Sequence, residues 1–240
     1  MFAYLKSQIE FIIVDCVSKI YSHNITSEKT IVKIIVVDDH AVVRRGLIQI
    51  LESMQEVSSV SEASSGNELI ELLKKDEYDV VVLDITMPGK SGLDVLKEIK
   101  AIKQNVSVLI LSIHPEEQYA VRALKAGAAG YITKDSAPEE LVTAVQRIME
   151  GRKYISQSLA EKLAGSYDIS SSKLPHEILS DREFEVFKMI ASGNTVSNIA
   201  ETLFLSVKTI STYQSRIYEK TGLKSRSEIT LYAIKNGLIE

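Results

Sequence analysis

Short runs rich in β-branched residues recur through the first two-thirds of the chain, at 34–37, 57–61, 80–83, 106–111 and 130–133. Apolar runs of this length, without a polar alternation, suit strands covered on both faces, as in a parallel sheet. Between them the apolar residues return at i, i+3 and i+4. Leu47, Ile50 and Leu51 form one such set, Leu69, Ile70, Leu72 and Leu73 the next, then Leu93, Leu96 and Ile99, then Val121 and Leu124, and last Leu141, Val145 and Ile148. That is the period of a helix with one buried stripe. Five strand–helix repeats predict an α/β doubly wound domain with a five-stranded parallel sheet over residues 31–155.

The pattern changes at 156–174, which ends in a small, polar tract without apolar period from Gly165 to Ser172 and reads as a linker. After Pro175 no strand signal returns, and 175–240 predicts a small all-α domain of three or four short helices. Ser180 with Glu183 three residues on has the form of a capping box, opening a helix through Phe184, Val186, Phe187 and Ile190. Val196, Ile199, Ala200 and Leu203 mark a short second helix, and Ser206 is the N-cap of a third. Two short helices joined by a tight turn, the second basic and rich in hydroxyls, make a helix-turn-helix. On that helix Ile210, Tyr213 and Ile217 face inward, whereas Lys208, Ser211, Thr212 and Ser215 fall on the opposite side. The outer face is shaped to enter a major groove, with hydroxyls at base edges and Lys208 and Arg216 at bases or phosphates.

Residues 1–30 carry a further helical spacing (Phe2, Leu5, Ile9, Ile12, Ile13, Cys16, Ile20), consistent with an added amphipathic helix or with an upstream translation start. With Glu10 before its apolar run and Asp15 directly after, this segment does not read as a signal peptide. No apolar run approaches the roughly 20 residues that cross a bilayer. The lone cysteine, Cys16, excludes an intramolecular disulfide and a cysteine zinc cluster, and the expectation is a cytoplasmic protein without a membrane partner.

The net charge of −4 over 240 residues argues against a nucleic-acid binder only if it is evenly spread. It is not: residues 31–155 hold 15 Lys and Arg against 19 Asp and Glu, while 206–226 hold five basic side chains against Glu219 alone. A polyanion responds to the local field.

The strand ends carry the chemistry. Asp38 and Asp39 follow the first, Asp84 the third, Ser112 the fourth and Lys134 the fifth. In an open parallel sheet the carboxyl ends share one edge, so these side chains are expected to converge. Two carboxylates about 4 Å apart repel by roughly 4 kcal/mol at an effective dielectric of 20, so three of them invite a cation. Hard oxygen ligands in an incomplete shell favour Mg²⁺. Asp84 is the candidate nucleophile toward a phosphoryl donor, because the turn Thr86-Met87-Pro88-Gly89 leaves it at the strand tip and offers the metal a backbone carbonyl, from Thr86. Lys134 supplies a cation, and Ser112 a hydroxyl, for phosphoryl oxygens. His40 reads as a helix-start residue beside the acids.

Val36-Val37-Asp38-Asp39-His40, Leu83-Asp84-Ile85-Thr86-Met87-Pro88-Gly89, Leu111-Ser112 and Gly130-Tyr131-Ile132-Thr133-Lys134 resemble the receiver domain of bacterial two-component response regulators, over about 31–155. The resemblance implies a flavodoxin-like fold, Asp84 as phosphoacceptor, Asp38 and Asp39 as the acidic metal pair, Ser112 as switch hydroxyl, Tyr131 as switch aromatic, and a sensor histidine kinase as donor. Leu179-Ser180-Asp181-Arg182-Glu183, Ile199-Ala200, Leu205-Ser206-Val207-Lys208-Thr209-Ile210 and Lys220-Thr221-Gly222-Leu223 are similar to the LuxR-type DNA-binding domain. The pair of domains resembles the NarL/FixJ class of transcription regulators, nearest its GacA/UvrY branch at 232–238. It departs from many members at Ser211, Tyr213 and Thr221.

The expected function is therefore a phosphorylation-switched regulator binding double-stranded promoter DNA, with RNA polymerase a further partner. The resemblance implies a homodimer when phosphorylated or DNA-bound, through the last helix. Leu231, Ile234 and Leu238 are either that surface or the small domain's own core. Phosphorylation is expected to draw Ser112 toward the phosphoryl group and to let Tyr131 turn inward. Two alternatives stand beside this reading: a regulator of the same fold switched by protein contacts alone, and a phosphoryl-transfer enzyme on a small substrate. No substrate-sized cap or second acid/base group is evident for the latter, so the only turnover expected is slow, Mg²⁺-dependent phosphorylation and dephosphorylation of the protein itself.

Overall fold

The computed structural model describes residues 31–156, 159–161 and 174–239. The amphipathic pattern of 1–30 and most of the 156–174 linker lie outside them. Five strands alternate with five helices: β1 (Val32–Val37), α1 (Ala41–Glu52), β2 (Val57–Ala63), α2 (Gly66–Lys75), β3 (Val80–Asp84), α3 (Gly92–Ile102), β4 (Ser107–Ser112), α4 (Glu116–Lys125), β5 (Gly130–Thr133) and α5 (Ala137–Met149). The strands form one parallel sheet in the order β2-β1-β3-β4-β5. The order reverses between β1 and β3, and ligands of open α/β sheets sit at such a switch point.

Side chains alternate across the sheet with period two. Ile34 and Val36, Val82, Leu109 and Leu111 pack on Leu47 and Leu51 of α1 and Leu141, Val145 and Ile148 of α5. Ile35 and Val37, Val81 and Leu83, Val108 and Ile110 pack on the other face, in a cluster that includes Leu69 and Leu73 of α2, Leu93, Leu96 and Ile99 of α3 and Ala120 of α4. Four of the strands extend beyond the apolar runs that announced them. Asp84 pairs with Leu111, and Ser112 with Thr133, because the backbone ladder continues under polar side chains. β2 lies at the sheet edge, and most of its side chains are at least partly exposed, which explains the serines of its Val57–Ala63 span.

The C-terminal part contains α6 (Asp181–Ala191), α7 (Val196–Thr202), α8 (Val207–Thr221) and α9 (Arg226–Lys235). α6 opens with the expected capping box: Ser180 Oγ accepts the Glu183 amide, and Glu183 Oε2 accepts the Ser180 amide at 2.8 Å. Thr195, Ser206 and Ser225 cap α7, α8 and α9 through their side-chain oxygens in the same way. Such caps each stabilise a helix start by about 1 kcal/mol, which matters for helices this short. Phe184, Phe187, Ile190, Ile199, Ile210, Ile217 and Ile229 fill the core. Glu183 ties the capping box to α8 through Lys220 Nζ at 2.6 Å.

Candidate functional site: an acidic strand-edge cluster and a groove-reading helix

Asp38, Asp84 and Lys134 meet at the carboxyl edge of the sheet, as the strand ends predicted. Lys134 Nζ lies 2.7 Å from Asp84 Oδ2 and 2.7 Å from Asp38 Oδ2. Asp38 and Asp84 are almost fully buried, at 0% and 1% exposure, while Asp39 stands partly open beside them. The ammonium is therefore the counter-charge that makes two buried carboxylates tolerable.

The two side chains share one electrostatic compromise. Burial pushes the Asp84 carboxyl up to about 6, against the opposing pull of Lys134 and of the Thr86 amide, which donates to Asp84 Oδ1 at 3.0 Å. Burial pushes the Lys134 ammonium down, but its pairing with the Asp38 and Asp84 carboxylates outweighs this and holds it above the usual lysine range. Desolvation dominates for the acid and pairing for the base, because a carboxylate at a strand tip is the more enclosed of the two.

Asp38, Asp39, His40 and Asp84 each bring one ligand atom within 4.8 Å of the others. Asp38 Oδ2 and Asp39 Oδ1 are buried and accept no directed hydrogen bond, although Lys134 Nζ stands 2.7 Å from the first and His40 Nδ1 2.9 Å from the second. Oxygens short of donors are what a hard cation completes, and the donor set fits Mg²⁺ or a similar ion. His40 is the N-cap residue of α1, its side chain making no cap bond and its ring 65% exposed. Of Thr86, the amide rather than the carbonyl is what the geometry ties to Asp84.

Ser112 is fully buried, and its Oγ accepts the His114 amide at 3.0 Å. Tyr131, the expected switch aromatic, faces inward: it is 1% exposed, and its hydroxyl donates to the His114 carbonyl at 2.9 Å. The physical reason lies in a residue the sequence did not single out. His114, held at both backbone groups, gives the tyrosine hydroxyl a partner inside, and its ring stacks on Tyr119 with centroids 4.8 Å apart. His114 Nε2 also approaches Thr86 Oγ1, at 3.4 Å. The only sequence signal was its place two residues after Ser112.

Gly92 was also missed. A Cβ there would fall 2.3 Å from the Asp84 carbonyl oxygen and 2.6 Å from Ile85 Cα. Only glycine lets α3 begin directly against the strand that carries Asp84.

The second set of residues stays together on α8. Lys208, Ser211, Thr212, Ser215 and Arg216 are all exposed, while Ile210 and Ile217 are buried and Tyr213 is half-buried. Ser211, Thr212 and Ser215 donate their hydroxyl protons to the carbonyls of Val207, Lys208 and Ser211, one turn back, at 2.9 to 3.0 Å. Their lone pairs are left outward, so on this rotamer set these hydroxyls offer acceptors rather than donors to whatever meets the face. Leu231 and Ile234 of α9 are 69% and 53% exposed, whereas Leu238, just beyond its end, is buried, so the three residues divide between surface and core. Among the described residues no helix is long and apolar enough to cross a membrane.

Residues 34–146 match the response regulator receiver domain family, and residues 177–233 the luxR family of bacterial regulatory proteins. The chain is 34% identical to the response regulator GacA of Pseudomonas aeruginosa over 87% of its length and 98% of that protein's. It is 38% identical to the oxygen regulatory protein NreC of Staphylococcus epidermidis, over 87% of this chain and 99% of that one. Among solved structures, RcsB of Salmonella enterica serovar Typhimurium, bound to promoter rprA in the presence of the phosphomimetic BeF3-, aligns with a TM-score of 0.61 and 28% identity, covering 84% of this chain and 98% of RcsB. With a receiver-type acidic edge, a LuxR-type reading helix and relatives alike over nearly their whole length, the chain belongs to the NarL/FixJ family of response regulators, the DNA-binding regulators of transcription, in its GacA/UvrY branch.

Proposed function

We propose that this regulator is switched by a phosphoryl group on Asp84, delivered by a sensor histidine kinase in the cytoplasm, and that it then acts on promoter DNA as a homodimer. The receiver spans 31–155, the linker 156–174 and the DNA-binding domain 175–240. The observation that carries the reading is Lys134 Nζ at 2.7 Å from both Asp38 and Asp84, in a chain that also exposes a capped helix-turn-helix.

The transfer follows from the site. An Asp84 oxygen attacks phosphorus as the P–N bond of a phosphohistidine breaks, giving an acyl phosphate and a free imidazole. Asp38, Asp39, Asp84 and the Thr86 carbonyl are the groups that would hold Mg²⁺. Bound there, the ion supplies charge screening for the carboxylates and the incoming phosphoryl group. Lys134, with three donors on one nitrogen, keeps one carboxylate and gives a hydrogen bond to a phosphoryl oxygen. The Ser112 hydroxyl has its acceptor side engaged by the His114 amide, which leaves its proton for a second phosphoryl oxygen. The only turnover in this scheme is slow hydrolysis of the protein's own acyl phosphate.

On the DNA side, Ser211, Thr212 and Ser215 read base edges, and Lys208 and Arg216 neutralise phosphates. Leu231 and Ile234 form the dimer surface, and bound RNA polymerase is the downstream contact. The test is phosphorylation by acetyl phosphate with Mg²⁺, followed by intact-mass and peptide mapping. One phosphoryl group on Asp84, absent from Asp84→Asn, is expected. An unmodified wild-type protein, or modification elsewhere, contradicts the reading.

A further inference from the structure

The entry to α8 carries two features that the fold itself does not require. Phe204 closes α7: its amide donates to the Glu201 carbonyl at 3.1 Å, and the Leu205 amide to the Ala200 carbonyl at 2.8 Å, the paired bonds of a Schellman turn. Such a turn needs a left-handed residue, which glycine supplies without strain. Among the described residues Phe204 is the only non-glycine with positive φ, at +53°. The core does not take its ring, which is 70% exposed, although Leu203 before it is buried and Leu205 after it packs against the core. A strained backbone under an exposed aromatic points to a use outside the fold.

Val207 repeats the anomaly three residues on. It is the first residue of α8, next to the N-cap Ser206, and is 52% exposed. Positions four apart on a helix stack in one row. Val207, Ser211 and Ser215 therefore form one row of the reading face, and Lys208, Thr212 and Arg216 the other. The Ser211 hydroxyl donates to the Val207 carbonyl, and the Ser215 hydroxyl to that of Ser211, which ties the row together. Val207 is the one aliphatic side chain in a face of hydroxyls and cations.

Hydroxyls turned back to the backbone offer acceptors, which suit the amino groups of adenine and cytosine. They do not sense what sets thymine apart in the major groove, its C5-methyl group, which calls for an apolar contact. We propose that Val207 and Phe204 form an apolar corner of the DNA interface, in which Val207 takes the C5-methyl group of one thymine and Phe204 packs on the sugar edge of the backbone beside it. The inference rests on α8 entering the major groove, and it extends that face to the very start of the helix. It adds to the DNA site a thymine that the hydroxyls and cations do not demand.

The test uses the full chain with beryllofluoride and Mg²⁺, and the duplex it selects from random DNA. Each thymine of that duplex is replaced in turn by deoxyuridine, which removes the methyl group and leaves every base-pair hydrogen bond. One replacement is expected to weaken wild-type binding about fourfold, the worth of one buried methyl group, and to change binding of Val207→Ala by less than about twofold. Thr212→Ser, which also loses a methyl group, is expected to keep the full effect. Phe204→Gly is expected to melt about 2 °C or more above wild type, because the strain at φ is relieved. It is nevertheless expected to bind every duplex about fivefold more weakly, as partial burial of one ring implies. A wild type indifferent to every deoxyuridine, or a loss that persists in Val207→Ala or vanishes in Thr212→Ser, overturns the thymine contact. Phe204→Gly binding as tightly as wild type overturns the backbone contact. A chain that selects no consensus overturns the placement of α8 in the groove instead.

Discussion

Asp84 and Thr212, the proposed phosphoacceptor and a proposed base-reading residue, stand under opposite physical conditions. Asp84 is 1% exposed, its neighbours come from the ends of β1, β3 and β5, and its carboxylate is held by groups 2.7 to 3.0 Å away. Thr212 stands exposed on one helix, with its hydroxyl donating to the Lys208 carbonyl one turn back. A buried convergent site tolerates few replacements, because each charge there answers another. An exposed reading face tolerates many, and each one changes what is read. Ser211 and Tyr213, where the sequence departs from many members of the family it resembles, fall on α8, the helix proposed to meet DNA.

The comparison is broken most severely by Asp84→Asn. Loss of the nucleophile should abolish the mass shift with acetyl phosphate entirely while leaving the unphosphorylated protein's DNA affinity intact; a residual shift at another residue would show that the buried cluster is less exclusive than described. On the exposed side, Thr212→Ala should change the preferred base at its position by about 1–3 kcal/mol, seen as an altered consensus in a binding selection. Lys208→Ala should weaken all sequences alike and lower the salt slope by about 1. If Lys208→Ala changes the consensus instead, the assignment of phosphate and base contacts is reversed.

Gly92→Ala should cost about 1–3 kcal/mol in urea unfolding, because its Cβ meets the Asp84 carbonyl oxygen and no flexible side chain can yield. The same change at Gly46, where an added Cβ meets nothing within 4 Å, should be far milder and is the control.

The pH dependence of the metal-free protein sharpens the contrast further. Burial raises the folded-state value of Asp84 to about 6, above its ordinary value of 3.8. The folded protein therefore binds the proton more tightly than the unfolded chain. This contribution to stability is fully present below the unfolded value and is lost as pH rises through about 6. The loss is up to about 3 kcal/mol between pH 4 and 7, and Mg²⁺ should restore stability at pH 7 while doing little near pH 4. Equal stabilisation by Mg²⁺ at both values would mean that Asp84 is not the group that responds. The smallest effect is expected from Leu231→Glu, within about 0.5 kcal/mol of wild-type stability, as for other exposed positions, though it should weaken dimer formation on DNA.

Much of this was legible in the sequence because it depends on local rules. Continuous β-branched runs and period 3.6 separated strands from helices. The caps at Ser180 and Ser206 marked helix starts, and the topology of a parallel sheet gathered Asp38, Asp84 and Lys134. What escaped were relations between residues remote in sequence that no local pattern encodes. The need for glycine at 92 comes from the backbone of strand β3, and the inward Tyr131 comes from a carbonyl 17 residues earlier. Likewise Arg122 reads in the sequence as an ordinary helix cation, and only the fold sets it against His176, Leu179 and Asp181. The division of Leu231 and Ile234 from Leu238 was open for the same reason, since a short helix in a small domain has too little surface for periodicity to decide which face is covered.

The most direct test of the central claim is a binding selection on random duplex DNA, followed by titration of the selected site, with and without beryllofluoride and Mg²⁺. The account predicts one selected consensus, bound at least tenfold more tightly, and as a dimer, when the mimic is present, with no such gain in Asp84→Asn. Identical affinity and oligomeric state in the two conditions would contradict it.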